Sequence, residues 1–351
     1  MKIAQLAPLT EAVPPRLYGG TERVVSWLTE ELVALGHEVT LFASGDSLTS
    51  ATLAPFWPRA LRLDGAVRDA NALHVALVEE VAQRAHEFDI IHCHLDYLPF
   101  SLLSRQPTPF VTTLHGRLDL PELQPVFDRF AHVPVVSISD SQRRPLPQAN
   151  WIDTVHHGLP AQLFQTQRTA PSYLAFLGRI SPEKGVERAI EIAHACRMPL
   201  KIAAKVDTAD RSYFNRDVVP LLKQAHVEFV GEINDEQKPA FLGGAAALLT
   251  PIAWPEPFGL VMIEAMACGT PVVAFNRGSA PEVIEDGLTG FVVEDVMSAA
   301  AAVRLAADLP RAQVRARFEQ RFTARRMAND YLELYRRLIF ARRGRPRLAS
   351  V

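Results

Sequence analysis

The sequence predicts an α/β protein built from two successive doubly wound domains, and three observations support this prediction. Short apolar segments with strand character alternate with segments of helical periodicity along almost the whole chain. The length of 351 residues suits about two domains. A polar stretch without periodicity, residues 160–171, separates two such series near the middle of the chain and is the predicted linker.

The first series opens as strand, loop, helix and strand, which is the unit of a parallel sheet covered by helices. Residues 2–6 form the first predicted strand, and a loop containing proline and glycine follows it. Residues 21–35 carry apolar side chains at helical spacing and are followed by Gly36, a residue typical of helix ends. The other predicted elements of this half are the strands 37–43, 89–92, 110–114, 134–138 and 153–156 and the helix 71–86.

The second series repeats this pattern after the linker and closes with helices. Its predicted strands are 173–177, 200–204, 227–229, 246–250, 271–275 and 291–293. Its predicted helices are 186–195, 236–243, 259–267, 300–309 and 323–338. We therefore expect a first domain over residues 1–165 and a second domain over residues 166–322.

Composition and charge favour an ordinary globular protein of a reducing cytoplasm. Apolar residues make up 48% of the chain, and a net charge of -2 gives no electrostatic reason to expect a nucleic acid as partner. Cys93, Cys196 and Cys268 form no CxxC pair, which argues against a disulfide framework. No stretch approaches the roughly 18 apolar residues of a membrane span. The N-terminal segment is too soon interrupted by proline for a signal peptide.

The segment WPEPFGLVMIEAMACG, residues 254–269, carries two glutamates that we expect in a binding site. Glu256 lies in a loop stiffened by prolines directly after a predicted strand. Gly259 lets the backbone approach a ligand, and the first-turn N–H groups of the following helix suit a phosphate. Glu264 lies about one and a half turns into this helix, where it can reach ribose hydroxyls beyond the phosphate. Alternatively, Glu264 caps the helix or pairs with a basic neighbour.

The segment FLGRISPEKG, residues 176–185, contains two cations just after a predicted strand. Arg179 supplies a planar fork and Lys184 a point charge, and both suit a diphosphate. A solvent-exposed loop with unrelated charges is the alternative. The diphosphate interpretation gains weight because the glutamate segment also predicts a phosphate site.

Two features of the first half are weaker candidates. Gly19 and Gly20 precede a predicted helix, where backbone N–H groups could meet a phosphate or a sugar, and a tight entry turn is the alternative. His115 follows a predicted strand at the edge where α/β proteins bind ligands, and His157 follows another. For both histidines, an ordinary hydrogen-bonding role is the alternative.

Four residues near the end of one predicted strand invite a metal interpretation. These residues are His92, Cys93, His94 and Asp96. Alternate residues of a strand point to opposite faces, so Cys93 would face away from both histidines. Because no second ligand cluster supports them, we expect no metal site.

Basic residues accumulate toward the C-terminus. A run of arginines recurs at near-helical spacing, and residues 341–351 form a basic segment interrupted by proline. We expect a solvent-exposed helix face and a frayed terminus, with contact to an anionic membrane surface as the alternative. The arginines of the run are Arg311, Arg315, Arg317, Arg321, Arg325 and Arg326.

Taken together, the motifs resemble the GT4 family of retaining glycosyltransferases. In chain order they are GGTE, the His-Gly pair after a strand, GRISPEKG, EPFGLVMIE and PEVIEDGLTGFVV. The resemblance spans residues 2–338. It implies a GT-B fold, in which two Rossmann-like domains face each other across a cleft. It also implies that the last helix, about residues 323–340, crosses back to the first domain.

The resemblance also implies roles for single residues. Glu264 would bind the ribose of the donor nucleotide, and Glu256 would contact hydroxyls of the donor sugar. Arg179 and Lys184 would hold the diphosphate, and His115 would lie near the transferred sugar. The remaining donor-side residues would be Gly19, Gly20, Gly231, Ile233, Phe258, Gly259 and Leu260.

The implied activity is that of a retaining, metal-independent hexosyltransferase without a cofactor. Its co-substrate would be a nucleotide-diphosphate sugar, with UDP- or GDP-sugars favoured, and its acceptor a hydroxyl of a glycan, a glycolipid or a small molecule. The chain departs from the common family pattern at Ser279 and Ala280, where paired glycines are frequent, and at the segment around His157. A sugar-nucleotide epimerase, a phosphorylase of the same fold and a non-catalytic nucleotide-sugar binding protein are the alternatives.

Overall fold

The computed structural model describes residues 1–16, 19–166 and 170–343, with only the backbone of Arg343. The chain divides into two compact units by its contacts. The first unit is Met1–Gly158 together with the helix that begins at Ala324, and the second is Leu159–Thr323. Parts of the expected linker and of the basic C-terminal segment lie outside the described residues, as does Tyr18 ahead of Gly19.

The second unit begins earlier than the expected boundary after residue 165. Leu159 and Phe164 are both fully buried. Leu159 also forms a parallel bridge with Thr323 within the second unit. These residues precede the first strand of the second unit and are nevertheless part of its packing.

The described chain contains thirteen strands, distributed over two sheets. The first unit contains β1 (Lys2–Leu6), β2 (Glu38–Ser44), β3 (Thr52–Trp57), β4 (Ile90–Cys93), β5 (Phe110–Thr113), β6 (Pro134–Ser137) and β7 (Asn150–Thr154). The second contains β8 (Tyr173–Arg179), β9 (Leu200–Lys205), β10 (Val227–Gly231), β11 (Ala245–Thr250), β12 (Val272–Phe275) and β13 (Gly290–Val293).

Helices flank both sheets. In the first unit they are α1 (Gly20–Ala34), α2 (Ala70–Gln83), α3 (Phe100–Leu103), α4 (Leu123–Arg129) and α5 (Asp140–Arg143). In the second unit they are α6 (Val186–Cys196), α7 (Arg211–Tyr213), α8 (Lys238–Gly243), α9 (Leu260–Ala267), α10 (Ala280–Val283), α11 (Val296–Ala307) and α12 (Arg311–Arg321). The last helix, α13 (Ala324–Arg343), returns to the first unit and packs against α1, as expected.

Both sheets are parallel and share one strand order, so the expected fold class of two Rossmann-like α/β domains is confirmed. The order is β3-β2-β1-β4-β5-β6-β7 in the first sheet and β10-β9-β8-β11-β12-β13 in the second. The direction of winding reverses between β1 and β4 and again between β8 and β11. In open α/β sheets, ligands bind at the carboxyl ends of the strands beside such a reversal.

The strands nearest the reversal points are apolar because both faces of the sheet are covered. Every residue of β11 is buried, and the last four residues of β1 are buried as well. Continuous apolar strands of this kind are typical of parallel sheets and explain why their positions could be predicted from sequence.

One strand, β3, and the short helices α3, α4, α5, α7 and α10 were not predicted. Strand β3 was not predicted, because it is a partly exposed edge strand containing Pro55, and proline is tolerated at a sheet edge. Most of the arginine-rich segment forms α12, in line with its near-helical spacing. None of the helices in the described ranges combines the length and the apolar character that crossing a bilayer requires.

The arginines of α12 are bound within the second unit, so the expected solvent-exposed face is wrong for them. Arg311 donates to two main-chain carbonyl oxygens and Arg315 to three. Arg317 and Arg321 share the carboxylate of Glu285 at 2.7 and 2.6 Å. These guanidinium groups satisfy buried acceptors, and the membrane alternative therefore loses its support in this helix.

Candidate active site

The two motif loops of the second unit lie side by side at the carboxyl ends of β8 and β11, which pair directly. The N–H of Ala253 donates to the carbonyl oxygen of Glu183 at 2.8 Å. The Nε of Arg188 donates to the carbonyl oxygen of Pro251 at 2.9 Å. The structure thus joins the lysine-bearing loop and the glutamate-bearing loop, as the two motifs required.

Lys184 and Glu256 form an ion pair between these loops, with their side chains 21% and 13% exposed. The indole Nε1 of Trp254 donates to the same carboxylate oxygen of Glu256 at 2.9 Å. The Nζ of Lys184 also lies 5.5 Å from the centroid of the Trp254 ring. A cation and a carboxylate are therefore held together, in fixed positions, at the sheet edge where ligands bind.

Glu256 is supported from behind by the loop that follows β12. Gly278 has a φ of 58°, and a Cβ there would lie 2.3 Å from both the main-chain nitrogen and oxygen of Glu256. The N–H of Ser279 donates to the carbonyl oxygen of Glu256 at 3.0 Å. The hydroxyl of Ser279 donates to the carbonyl oxygen of Phe258 at 2.7 Å. Ser279, one departure from the common family pattern, thus has a structural role in the loop.

Glu264 lies in α9, which begins at Leu260 after Gly259 with a φ of 78°. The Nζ of Lys238 lies 2.7 Å from its Oε1, and Glu264 is only 2% exposed. Its Oε2 is buried and accepts no hydrogen bond from the described residues. The alternative of pairing with a basic neighbour is therefore correct for one carboxylate oxygen, and the other oxygen has no donor among the described residues.

Arg179 has carboxylate partners other than that of Lys184, two of them in the segment that follows β9. Its Nη2 donates to Glu183 at 2.9 Å, and its guanidinium lies 3.8 Å from Asp207 and 3.6 Å from Asp210. Burial opposes ionisation of Glu183, but the hydrogen bonds it accepts keep the pKa of this carboxyl below its usual range. The two cations predicted to bind the diphosphate, Arg179 and Lys184, thus pair with different carboxylates.

Gly231 and Ile233 lie at the carboxyl end of β10, the edge strand of the second sheet. Gly231 has a φ of 86°, which lets the chain leave the strand in a turn. This turn leads into α8, whose first residue, Lys238, contacts Glu264. The loop with Gly231 and Ile233 thus leads to Lys238, which contacts Glu264.

Gly19 and Gly20 lie at the start of α1 in the first unit. A Cβ at Gly19 would lie 2.8 Å from the Cβ of Pro15, so close approach within the loop already requires glycine there. Glu22 is buried in the first helical turn, and this burial raises the pKa of its carboxyl. A tight entry turn is therefore sufficient to explain why residue 19 is glycine.

His115 follows β5 and lies in a group of histidines at the carboxyl edge of the first sheet. Its Nε2 lies 2.8 Å from the Nδ1 of His94, and its ring stacks on His157 with 5.2 Å between centroids. Burial lowers the pKa of His115 to about 3. This imidazole is consequently neutral near pH 7, and it can act as a hydrogen-bonding group but not as an acid.

The residues considered as metal ligands separate as the strand alternation predicted. His92 and His94 bond to polar side chains, whereas Cys93 is buried in an apolar cluster, where burial raises the pKa of its thiol. No group of three or more histidine, cysteine or carboxylate side chains in the described ranges is arranged for a metal ion.

Several polar groups of these sites were not predicted. Lys238 and Trp254 contact the two glutamates, and Gln5 contacts His94. Trp254 lies within the glutamate motif, so its position next to Glu256 was a usable signal. Lys238 is 26 residues from Glu264, and Gln5 is 89 residues from His94, so no local pattern connects either pair.

Two doubly wound units, one with cations, two glutamates and a glycine-started helix at its reversal point, form the arrangement expected of a two-domain glycosyltransferase. Two family models agree with this conclusion. The model described as Glycosyl transferases group 1 matches residues 162–324, and the model described as Glycosyltransferase Family 4 matches residues 18–170. The chain belongs to the GT4 family of glycosyltransferases.

Relatives and solved structures agree with the family over most of the chain. A phosphatidyl-myo-inositol mannosyltransferase of Mycolicibacterium smegmatis is 29% identical, over 84% of this chain and 81% of the relative. A glycogen synthase of Mycobacterium tuberculosis is 27% identical, over 91% and 89%. The structure of AviGT4, a glycosyltransferase involved in avilamycin A biosynthesis, matches with a TM-score of 0.74 and 26% identity, over 97% and 98%.

Proposed function

We propose that this glycosyltransferase transfers a hexose from a nucleotide-diphosphate sugar to a hydroxyl acceptor, with retention of configuration and without a metal ion. The observation that carries the proposal is Glu264, whose buried Oε2 lacks a hydrogen-bond donor among the described residues. Leaving a buried charged acceptor unpaired costs free energy, and a ribose hydroxyl would supply the missing donor. UDP- and GDP-sugars are the favoured donors.

The diphosphate binds, in this proposal, between Lys184 and the N-terminus of α9. The first-turn N–H groups of a helix have no partners within the helix and carry the positive end of its dipole. Lys184 exchanges Glu256 for a phosphate oxygen, and the freed carboxylate accepts hydrogen bonds from sugar hydroxyls. Arg179 exchanges its carboxylate partners in the same way. Positive charge fixed at the leaving group stabilises the charge that develops there.

Transfer proceeds on one face of the sugar. The bond from the anomeric carbon to the acceptor oxygen forms as the bond to the phosphate oxygen breaks, and the acceptor proton passes to the departing phosphate. This route requires no protein carboxylate as nucleophile. For His115 we propose the role that the family resemblance implies, a position near the transferred sugar.

Structures of relatives with bound nucleotides support the choice of donor. Structures of HepE from Anabaena were determined with UDP, with UDP and glucose, and with UDP-glucose, and they match 96% of this chain at 21% identity. The curated relatives include a mannosyltransferase and a glycogen synthase. The HepE structures thus contain a nucleoside diphosphate or its glucose derivative, and we take a donor of the same class for this protein.

Nucleotide binding provides the direct test. Binding to the folded protein raises its melting temperature, and a ligand at 100 times its Kd adds about 2.7 kcal/mol of stability. UDP, GDP, ADP and their sugars are screened by thermal shift. Glu264→Gln is expected to weaken the best nucleotide about tenfold, since a hydrogen bond to a charged group contributes about 1.5 kcal/mol or more. Glu191→Gln, an exposed substitution on α6, is the matched control.

An acceptor screen with the best donor then separates the alternatives. A glycosyltransferase forms a new glycoside only when an acceptor is present. An epimerase converts the donor alone, and a phosphorylase requires inorganic phosphate. Binding without turnover under all conditions identifies a non-catalytic protein, and equal nucleotide affinity in Glu264→Gln and the native protein rejects the proposed ribose site.

A further inference from the structure

Buried polar side chains of the first unit form one continuous chain of hydrogen bonds. It begins beside the carboxyl end of β5 and runs through β1 and β4 to the C-terminal helix α13. All described members except the first are buried. Its members, in order, are His115, His94, Gln5, Tyr335, His92, Thr113 and Tyr331.

The first three bonds of this chain connect His115 to the C-terminal helix. The Nε2 of His115 lies 2.8 Å from the Nδ1 of His94, and the Nε2 of His94 lies 2.8 Å from the Oε1 of Gln5. The Nε2 of Gln5 donates to the hydroxyl of Tyr335 at 3.3 Å. The Gln5 amide therefore uses its oxygen on the histidine side and its nitrogen on the tyrosine side.

The last three bonds continue from that hydroxyl. The Tyr335 hydroxyl lies 2.6 Å from the Nδ1 of His92, and the Nε2 of His92 lies 2.7 Å from the hydroxyl of Thr113. The Thr113 hydroxyl lies 2.9 Å from that of Tyr331. Tyr331 lies one turn before Tyr335 in α13 and forms the far end of the chain.

The orientation of the Gln5 amide gives this chain a direction. A carbonyl oxygen can only accept, so the Nε2 of His94 carries a proton and donates it to Gln5. Burial lowers the pKa of His94 well below its ordinary value, and the ring is neutral, so its Nδ1 must accept. The donor to that nitrogen is the Nε2–H of His115. His115 is therefore the tautomer with a lone pair on Nδ1.

The opposite order of donors and acceptors along these hydrogen bonds is disfavoured at the His115 end. The Nδ1 of His115 is buried and has no hydrogen-bond partner among the described residues. If every donor and acceptor were exchanged, the Nδ1 of His115 would carry a proton and would have no acceptor among the described residues. A buried donor without a partner is rarer in proteins than an acceptor that lacks one. The observed direction instead leaves a lone pair ready to accept from a hydroxyl.

We propose that Gln5 and Tyr335 are positioning residues, which fix the tautomer of His115 so that its Nδ1 accepts a hydrogen bond from a substrate hydroxyl. Tyr335 holds the Gln5 amide in one orientation by accepting a hydrogen bond from its N–H. The Gln5 oxygen then accepts from His94, and the other ring nitrogen of His94 accepts from His115. The consequence for turnover rests on the proposed function, whereas the tautomer itself does not. The C-terminal helix thereby acts on a residue more than 200 positions earlier in the chain.

The tautomer can be measured in the ligand-free protein. Two-bond proton–nitrogen correlation spectra of ¹⁵N-histidine-labelled protein distinguish a protonated from an unprotonated ring nitrogen. His115→Gln identifies the His115 signals. The native protein is expected to have Nε2 protonated and Nδ1 unprotonated. Tyr335→Phe is expected to give a mixture of both tautomers at His115.

Tyr331→Phe is the matched control, because it removes the same hydroxyl from the same helix at the far end of the chain. Both tyrosines are fully buried, at 1% and 0% exposure, so each variant removes one hydroxyl from the same buried environment. The control is expected to retain the native tautomer. Gln5→Leu, which removes the amide itself, is expected to resemble Tyr335→Phe in the His115 spectrum.

Turnover supplies the second measurement. Tyr335→Phe is expected to lose about threefold to tenfold in turnover relative to Tyr331→Phe, which corresponds to one neutral hydrogen bond. An unchanged His115 tautomer in both Tyr335→Phe and Gln5→Leu overturns the positioning role, whatever the activity. If the tautomer changes as expected but no donor sugar is transferred by native protein, the proposed function fails and the positioning role stands.

Discussion

The two units share one strand order but carry opposite kinds of chemistry at the carboxyl edges of their sheets. In the first unit this edge holds neutral groups, with His92, His94 and His157 buried and their pKa values lowered by burial. In the second unit it holds ion pairs, such as those of Lys184 with Glu256 and of Lys238 with Glu264. The fold provides the location, and the side chains at the strand ends decide whether that location is neutral or charged.

Acid should reveal the largest difference between the units. Because the pKa values of His92, His94 and His157 are lower in the folded protein than the ordinary value of about 6.5, the unfolded chain binds more protons below that pH. The free energy of unfolding should therefore fall as the pH falls through 6.5. The three histidines together contribute at most about 4 kcal/mol per pH unit. Desolvation raises the pKa of Glu22 and raises that of Asp96 to about 6, so these two carboxyls oppose the trend.

The measurement is urea unfolding at several pH values between 7.5 and 5.5 in the Trp254→Phe variant. The remaining tryptophans, Trp27, Trp57 and Trp151, all belong to the first unit, so their fluorescence reports on that unit alone. Replacement of His92 by Gln should weaken the pH dependence. A free energy of unfolding that does not change over this range would contradict the neutral, buried state of the histidines.

Removal of a cation from the second unit should produce the next largest effect. Lys184→Ala and Arg179→Ala are each expected to lower turnover about 100-fold to 1,000-fold, the range observed when a preorganised donor to developing charge is lost. Steady-state kinetics with the best donor and acceptor provide the measurement. Lys223→Ala, at an exposed position of the same unit, is the control and should leave the rate unchanged. Nearly normal rates in both site variants would reject the diphosphate role.

Substitution of two glycines of the second unit should have the smallest effect and should show how the backbone holds Glu256. Gly278 and Gly287 both have positive φ, but only at Gly278 would a Cβ meet the backbone of Glu256. Gly287→Ala should cost about 1–2 kcal/mol of stability from its backbone conformation alone. Gly278→Ala should cost more and should also lower turnover, because Glu256 has to move.

Melting temperature and turnover of the two glycine variants provide the measurement. A Cβ at Gly287 would have no atom within 4 Å, so its alanine variant measures only the cost of the backbone conformation. Equal losses of stability in the two variants, with equal turnover, would show that the contact behind Glu256 has no role in holding the site.

The sequence by itself determined the layered architecture, because burial on a sheet or under a helix imposes a local periodicity. β1 was predicted with its observed bounds, and the strands leading into Arg179 and into the Glu256 loop were predicted nearly so. The motif loops were found because proline, glycine and charge cluster there. The edge strand β3 was missed, since it is not apolar enough to produce that signal.

Only the tertiary structure decided which of these residues meet. Lys184 and Glu256 are 72 residues apart, and Gln5 and Tyr335 are 330 residues apart. Contacts over such separations leave no trace in local periodicity, because they depend on strand order and on the return of α13 to the first unit. The same holds for the pKa of His115, which is set by burial among groups from other segments of the chain.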